Sequence, residues 1–257
     1  MSDYRPPPEH QRLFLEVQYL GTHFQGWQMQ ARGERTVQEV LHQAISRFAE
    51  AQMPVACGRT DSGVHAENMP IHIDVKNLKL PLHKLVRALN AHLPDDVSVL
   101  NAQEAPAGFH ARFSCLWRAY RYDLLLSEQR LPLHETRALR VPYVLNLSQM
   151  EQAAQLLIGE HDFRAFATQE ERQTRRILYD CHLQHTGIHL SIHVRGESFL
   201  RHQIRAIIGT LLLVGQHKMS LSDLHHLLQG QDRAEAGPNV KPHGLHFLGA
   251  GYPPSGG

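Results

Sequence analysis

Cysteine and lysine are the scarce residues of this chain, and each scarcity removes a class of function. The three cysteines, Cys57, Cys115 and Cys181, form no C-x-x-C pair. That excludes a disulfide framework or a zinc knuckle and fits a reducing cytoplasm. The longest apolar stretch, Ile207 to Val214, falls far short of the ~20 residues that a membrane span needs. The opening MSDYRPPPEHQR has no apolar signal core. The expectation is a soluble, cytoplasmic protein with no membrane partner. No single sign of charge dominates either: the formal net charge is +1, which by itself names no partner. Twenty histidines are present, several of them close together (His182, His185, His189, His193, His225, His226). None falls in an H-E-x-x-H or paired Cys/His spacing, so no metal is expected, and a histidine-based metal enzyme stands only as an alternative.

What is present is arginine. Five of the 26 basic residues are lysine, at 76, 79, 84, 218 and 241, which leaves 21 arginines. Arginine offers phosphates a planar fork and stacks on bases, which lysine does not do. Compositional bias of the lineage explains the same count, so arginine content alone does not decide for RNA. With 257 residues and 42% hydrophobic content, the chain can bury a sizeable core as one large domain or two coupled halves.

Periodicity predicts alternating strands and helices. Leu13, Leu15, Val17 and Tyr19 share one strand face. Thr36 opens a helix with Glu39 placed to close a capping box, and Val37, Val40, Leu41, Ala44, Ile45 and Phe48 form its stripe. Ile71, Ile73 and Val75 alternate, Leu82 to Leu93 is helical up to Pro94, and Val97–Leu100 is a strand. A second half repeats the scheme. Arg118–Leu126 is a strand, and Ser148 with Glu151 predicts a second capping box before a helix stopped by Gly159. Ile188 to Val194 alternates, Phe199–Val214 is a helix, and Ser220 opens a short last one. The fold class is therefore α+β: two similar α/β halves whose mixed, largely antiparallel sheets join into one central sheet flanked by helices. The expected divisions are a disordered tail over 1–11, a first half over 12–106, a second half over 107–252 and a tail over 253–257. Ser127–Arg140, Thr168–Arg176 and Gln231–Gly244 lack periodicity and predict loops, where substrate contacts commonly lie.

Three segments carry side chains suited to chemistry. In CGRTDSGVHA, Cys57–Ala66, Asp61 sits in a tight turn between Arg59 and His65, with Gly63 free to adopt positive φ. Such a turn is also common without any function. In FHARFSCLWRAYRYDL, Phe109–Leu124, Tyr120 and Tyr122 share strand parity with Arg118, while Arg121 points the other way. That arrangement suits base stacking beside phosphate, or an ordinary core. In SFLRHQIRAIIG, Ser198–Gly209, Arg201 and Arg205 are four apart at the start of an apolar helix. A cation there opposes the helix dipole and calls for a carboxylate or phosphate, unless both arginines simply reach solvent.

Together with G-W-Q-x-Q at Gly26–Gln30, these segments resemble the tRNA pseudouridine synthase A family. The matching runs are G-R-T-D-x-G-V-H at Gly58–His65, F-H-A-R-F-S at Phe109–Ser114 and R-x-Y-x-Y at Arg118–Tyr122. The F-x-R-H-x-[IV]-R helix follows at Phe199–Arg205, then A-G-P at Ala236–Pro238 and H-G-L at His243–Leu245. The order is the family's, and the resemblance runs from Val17 to Pro253. It implies isomerisation of uridine to pseudouridine at positions 38, 39 or 40 of the tRNA anticodon arm, by a homodimer and without a cofactor. It implies a cleft between the halves in which Asp61 is the catalytic carboxylate, paired with Arg205, and Tyr120 stacks on the extruded base. Arg59, Arg201, His65 and Arg118 are the candidate substrate-binding residues. Four departures stand out: Leu20 for the usual Asp, Ser62 for Ala, Ala206 for Asn, and ATQEERQTRR where a Gly/Ser-rich loop is common. Two other readings remain open, a synthase for a different RNA site and a tRNA-binding or RNA-folding protein without turnover.

Overall fold

The structure is a computed structural model that describes residues 4–31, 33–168, 173–230 and 232–254. The ends of both expected tails, part of the 168–176 loop and Gln231 lie outside the described residues. The elements, in chain order, begin with β1 (Gln11–Tyr19), α1 (Val37–Ile45), β2 (Glu50–Ala51), β3 (Val55–Ala56), β4 (His65–Lys76), α2 (Leu82–Asn90) and β5 (Val97–Glu104). They continue with β6 (Trp117–Leu126), β7 (Leu139–Val141), α3 (Leu147–Leu156), β8 (Gly159–Asp162), β9 (Arg175–Thr186), β10 (His189–Gly196), α4 (Gln203–Gly215), α5 (Leu221–Leu227) and β11 (Leu245–Gly251). They divide into two compact units, Met1–Leu116 with Phe247–Gly257, and Trp117–His246. The sequence places the division near Glu104–Gly108 and gives no sign that the chain after Phe247 returns to the first unit.

In the first unit the strands run β5-β1-β4-β11, with β2 and β3 also on β4. β1 is antiparallel to both neighbours, Leu15 lying opposite Ile71 and Ala102. Its alternation buries Leu13, Leu15, Val17 and Tyr19, as the period-2 pattern requires. β4 does not alternate: Met69, Ile71, Ile73 and Val75 are buried, but so are His72 and Asp74 between them. The second face is covered by the F-H-A-R-F-S turn. Phe109 packs edge-on against Phe14 and His72, and Ala111 N–H donates to His72 Nδ1. Asp74 takes a two-pronged bond from Arg12, whose Nη1 also donates to the Tyr4 and Phe109 carbonyls. Tyr4 in turn stacks on Phe113 at 5.4 Å. Tyr4, read from the sequence as part of a disordered tail, thus joins this cluster, because Arg12 and Phe113 give it partners that composition does not reveal.

In the second unit β6, β10, β9 and β8 lie in that order, antiparallel where β6 meets β10, β10 meets β9 and β9 meets β8, and β7 runs parallel to β6. β10 buries Leu190, Ile192 and Val194 and leaves Ser191, His193 and Arg195 on the other face. α4 is buried nearly all round, so it is the central helix of this unit. Helix starts bear out two of the sequence expectations and correct two. Thr36 caps α1 by accepting from Glu39 N–H, which is one half of the expected box, and Ser220 forms a full capping box with Asp223. α3 is capped by Asn146, two residues before the expected Ser148. α4 begins at Gln203, not Phe199, because His202 takes a left-handed conformation at φ 63° and breaks the turn before it.

Candidate active site

The carboxylate of Asp61 sits half-exposed at the tip of a loop in the first unit, and the loop is held mostly by main chain. Trp27 N–H donates to the Thr60 carbonyl at 3.1 Å, Gly63 N–H to Phe24 O at 3.3 Å, and Val64 N–H closes the turn on Asp61 O at 3.2 Å. Two backbones approach this closely only where side chains are missing. Gly26 has φ 89°, and a Cβ there would lie 2.7 Å from the Thr60 carbonyl. A Cβ on Gly21 would lie 2.0 Å from that of Val64. The G-W-Q turn is therefore the scaffold of the acidic loop, a role that its sequence alone does not announce.

Side chains finish the brace from beneath. Tyr19 OH bonds Thr60 Oγ1 at 2.7 Å, and burial pushes the Tyr19 pKa well above the ordinary tyrosine value, so the hydroxyl keeps its proton. Gln38, buried on α1, accepts from Met29 N–H and Gln28 and donates to the Pro54 carbonyl. Ser62 Oγ shares its one proton between the Phe24 carbonyl and Gln25 Oε1, both at 3.1 Å. An alanine there would lack both bonds, so this departure from the family pattern adds a tie to the same turn. His65, expected to bind substrate, is only 3% exposed and accepts the Gly21 N–H at 3.0 Å. The residue stands at the buried start of β4, where it braces the loop. Arg59 is exposed two residues before the acid.

In the second unit Tyr120 lies on β6 opposite Val194, 7% exposed, with its ring edge-on to Phe199 at 5.3 Å. Tyr122 is fully buried, and its hydroxyl donates to the Lys241 carbonyl at 2.7 Å. Burial raises its pKa, and the nearby Arg205 guanidinium opposes that rise in part. Arg205 Nε donates to the Val240 carbonyl at 2.7 Å, and Val240 N–H returns to the Arg205 carbonyl at 3.3 Å. Arg205 and Tyr122 are thus fastened to consecutive carbonyls of one segment. That segment lies flush on α4 because Gly209 faces Pro238, whose carbonyl would sit 1.9 Å from a Cβ. Asn239 ties it further, accepting from Arg233 and donating to Thr168 Oγ1.

Arg201 is not on the helix with Arg205, since α4 starts after it. It is exposed in the preceding turn, and its carbonyl accepts the Thr168 N–H. The shared helical face predicted from the spacing does not exist, for the reason given by His202. Arg118 donates to the Glu197 carbonyl at 2.7 Å. The structure groups Tyr122 and Arg205 around the Val240–Lys241 segment. Sequence reasoning overlooked Thr60, Gly26, Tyr19 and Val240. Only Gly26 carried a signal, as a glycine in a motif. Among the described residues, no group of three or more His, Cys, Asp or Glu is placed to hold a metal ion, and no helix is long and apolar enough to cross a membrane.

A family model described as tRNA pseudouridine synthase matches residues 16–114 and 153–253. The chain belongs to that family. A tRNA pseudouridine synthase A of Thermus thermophilus is 45% identical over 246 residues, covering 94% of this chain and 97% of the relative. One of Neisseria meningitidis serogroup C is 38% identical, covering 95% and 93%. One of Geobacter sp. is 39% identical, covering 93% and 98%. Among solved structures, a chain in "Crystal Structure of a Cbf5-Nop10-Gar1 Complex" is similar at 13% identity with a TM-score of 0.38. The match covers 92% of this chain, which spans about half the length of that one. The synthase is an isomerase that forms pseudouridine in tRNA, and the matched segments include Asp61 in the first and Arg205 and Val240 in the second, while Arg118, Tyr120 and Tyr122 lie between the two.

Proposed function

We propose that this synthase converts uridine to pseudouridine at positions 38, 39 or 40 of the tRNA anticodon arm, in the cytoplasm, as a homodimer, with Asp61 as its catalytic carboxylate. The observation that carries the reading is the half-exposed Asp61 on a loop whose neighbours are fixed by main-chain bonds and glycine contacts. Holding a reacting group in one place removes the entropy cost of orienting it during reaction.

The reaction breaks the N1–C1′ bond, turns the uracil over, joins C5 to C1′ and releases the C5 proton. Asp61 either attacks C1′ or takes the C2′ proton, and both routes need it ionised. Arg205 is the cation that keeps it ionised. The target base leaves its stack first, at a cost of a few kcal/mol. Arg59 occupies the space it vacates, while Arg201 and Arg118 contact phosphate. Tyr120 stacks on the extruded uracil and relays the C5 proton.

Tritium release from tRNA carrying 5-³H-uridine tests the activity directly. A map of pseudouridines in tRNA from cells with and without the gene tests the address. Release without loss of pseudouridine at the three positions would keep the chemistry and overturn the address. No release would favour an RNA-binding protein without turnover.

A further inference from the structure

A cavity of about 380 Å³ lies in the second unit, lined by Arg130, Glu135, Thr136, Arg140, Lys241 and His243 among others. That volume is toward the low end of small-ligand sites and ample for one phosphate group with its flanking sugar. Three permanent cations face one carboxylate, and that carboxylate is already engaged. Glu135 accepts the Leu131 N–H at 2.6 Å, and its oxygens lie 3.6 Å from Arg140 Nε and 4.0 Å from Arg130 Nε. Arg140 is anchored by Nη1 on the Ser127 and Glu128 carbonyls, while its Nε is shielded from solvent and has no hydrogen-bond partner. Burial lowers the His243 pKa, first among its causes, so at neutral pH its ring adds no charge of its own.

The position of the cavity matters as much as its charge. Lys241 supplies a side chain to the wall, and its carbonyl receives the Tyr122 hydroxyl. The carbonyl one residue earlier receives Arg205. A basic pocket therefore shares its wall with the segment that fastens both residues. Guanidinium and ammonium groups gathered around an open cavity suit a phosphate diester, which two arginines and a lysine can share.

We propose that this cavity seats a backbone phosphate of the tRNA substrate, at a subsite separate from Asp61, Tyr120 and Arg205. The inference rests on the reading of tRNA as substrate. The test is the double variant Arg130→Ala/Lys241→Ala, in which both changed side chains are exposed and the fold bonds of Arg140 remain. Affinity for unmodified tRNA is measured by filter binding across a salt series. The expected result is a Kd roughly tenfold higher, with a log–log salt slope shallower by about one, the loss of a single phosphate contact. Thr136→Glu, which adds a carboxylate to the same cavity, should weaken binding in the same direction. Lys84→Ala/Lys218→Ala removes two charges elsewhere and should cost less.

A Kd and slope within twofold of wild type for both cavity variants would overturn the proposal, as would an equal loss in the control. Inorganic phosphate titrated against the His243 ring resonances separates a second source. Saturable shifts abolished by the double variant, with tRNA binding untouched, would make the cavity a free-anion site and overturn the RNA assignment. Failure of the underlying reading looks different, since the wild type itself would then release no tritium.

Discussion

The acidic loop of the first unit and the Arg205 segment of the second solve the same problem with different means. Asp61 stands on irregular chain, so its position depends on bonds between backbones: Trp27 to Thr60, Gly63 to Phe24, and the glycines that let them meet. Arg205 stands on α4, a nearly fully buried helix, so its backbone is fixed already and only its side chain needs a tether, the Val240 carbonyl. The difference teaches where each half is fragile. The loop should fail through its scaffold, at residues that touch no substrate. The helix should fail through the side chain itself.

Arg205→Met removes the side chain and leaves the helix. Single-turnover tritium release should fall by about a thousandfold or more, the scale of loss when a catalytic group is deleted, while the unfolding midpoint stays close to wild type. Arg205→Lys should restore little, because a point charge does not reproduce a planar fork. Activity retained in the Met variant would break the comparison at its second term.

Gly26→Ala tests the first term. The new Cβ meets the Thr60 carbonyl, a backbone atom that cannot swing aside, at a φ that costs about 1–2 kcal/mol in strain. A shift of about 1 Å at Asp61 should lower the chemical rate roughly a hundredfold. Gly33→Ala is the control, with φ 70° but nothing within 4 Å. It carries the strain without the collision and should leave the rate within a few-fold. Equal losses in the two would mean that strain, not close approach, governs the loop.

Tyr120→Phe keeps the ring and its contact with Phe199 but removes the hydroxyl. The rate should drop about tenfold to a hundredfold, with a smaller change in tRNA affinity. Full activity in Phe with none in Leu would leave stacking as the residue's whole role.

The smallest effect concerns the first unit's covered sheet face. Burial, then the charge of Arg12, lowers the His72 pKa to about 3, and His110 moves the same way. Below the ordinary histidine value near 6.5 the unfolded chain therefore binds more protons than the folded one. Stability should be full above about pH 6.5 and decline as pH falls toward 3, by up to about 2 kcal/mol between pH 7 and 5 for one histidine. His72→Asn offers an acceptor for the Ala111 N–H without titrating. Denaturant unfolding at the two pH values should show a flatter dependence in the variant. An unchanged dependence would place the acid sensitivity elsewhere.

Much of this was legible in the sequence, and the misses have a common cause. The alternation of β1, the stripe of α1 and the parity of Tyr120 with Tyr122 follow from periods of 2 and 3.6, which local sequence carries. β9 is hard to read from sequence because Arg175, Arg176, His182, Gln184 and His185 mask its alternation, and a bulge opposite Arg195 and Gly196 shifts its register. The place of His65 depends on a contact with Gly21, distant in sequence, that no short window contains, and the start of α4 depends on the left-handed backbone of His202, which no periodicity announces. Asp61 itself was found from its motif. That Gly26 and Tyr19 hold it in place is tertiary information.

The most direct test of the central claim is Asp61→Asn, compared with wild type for tritium release under single turnover and for tRNA binding. The amide keeps the shape of the side chain and the loop's main-chain bonds, and it removes the charge. The account predicts release below about one thousandth of the wild-type rate, with a Kd within a few-fold, because affinity comes mainly from phosphate contacts spread over the surface. Release near the wild-type rate would contradict it.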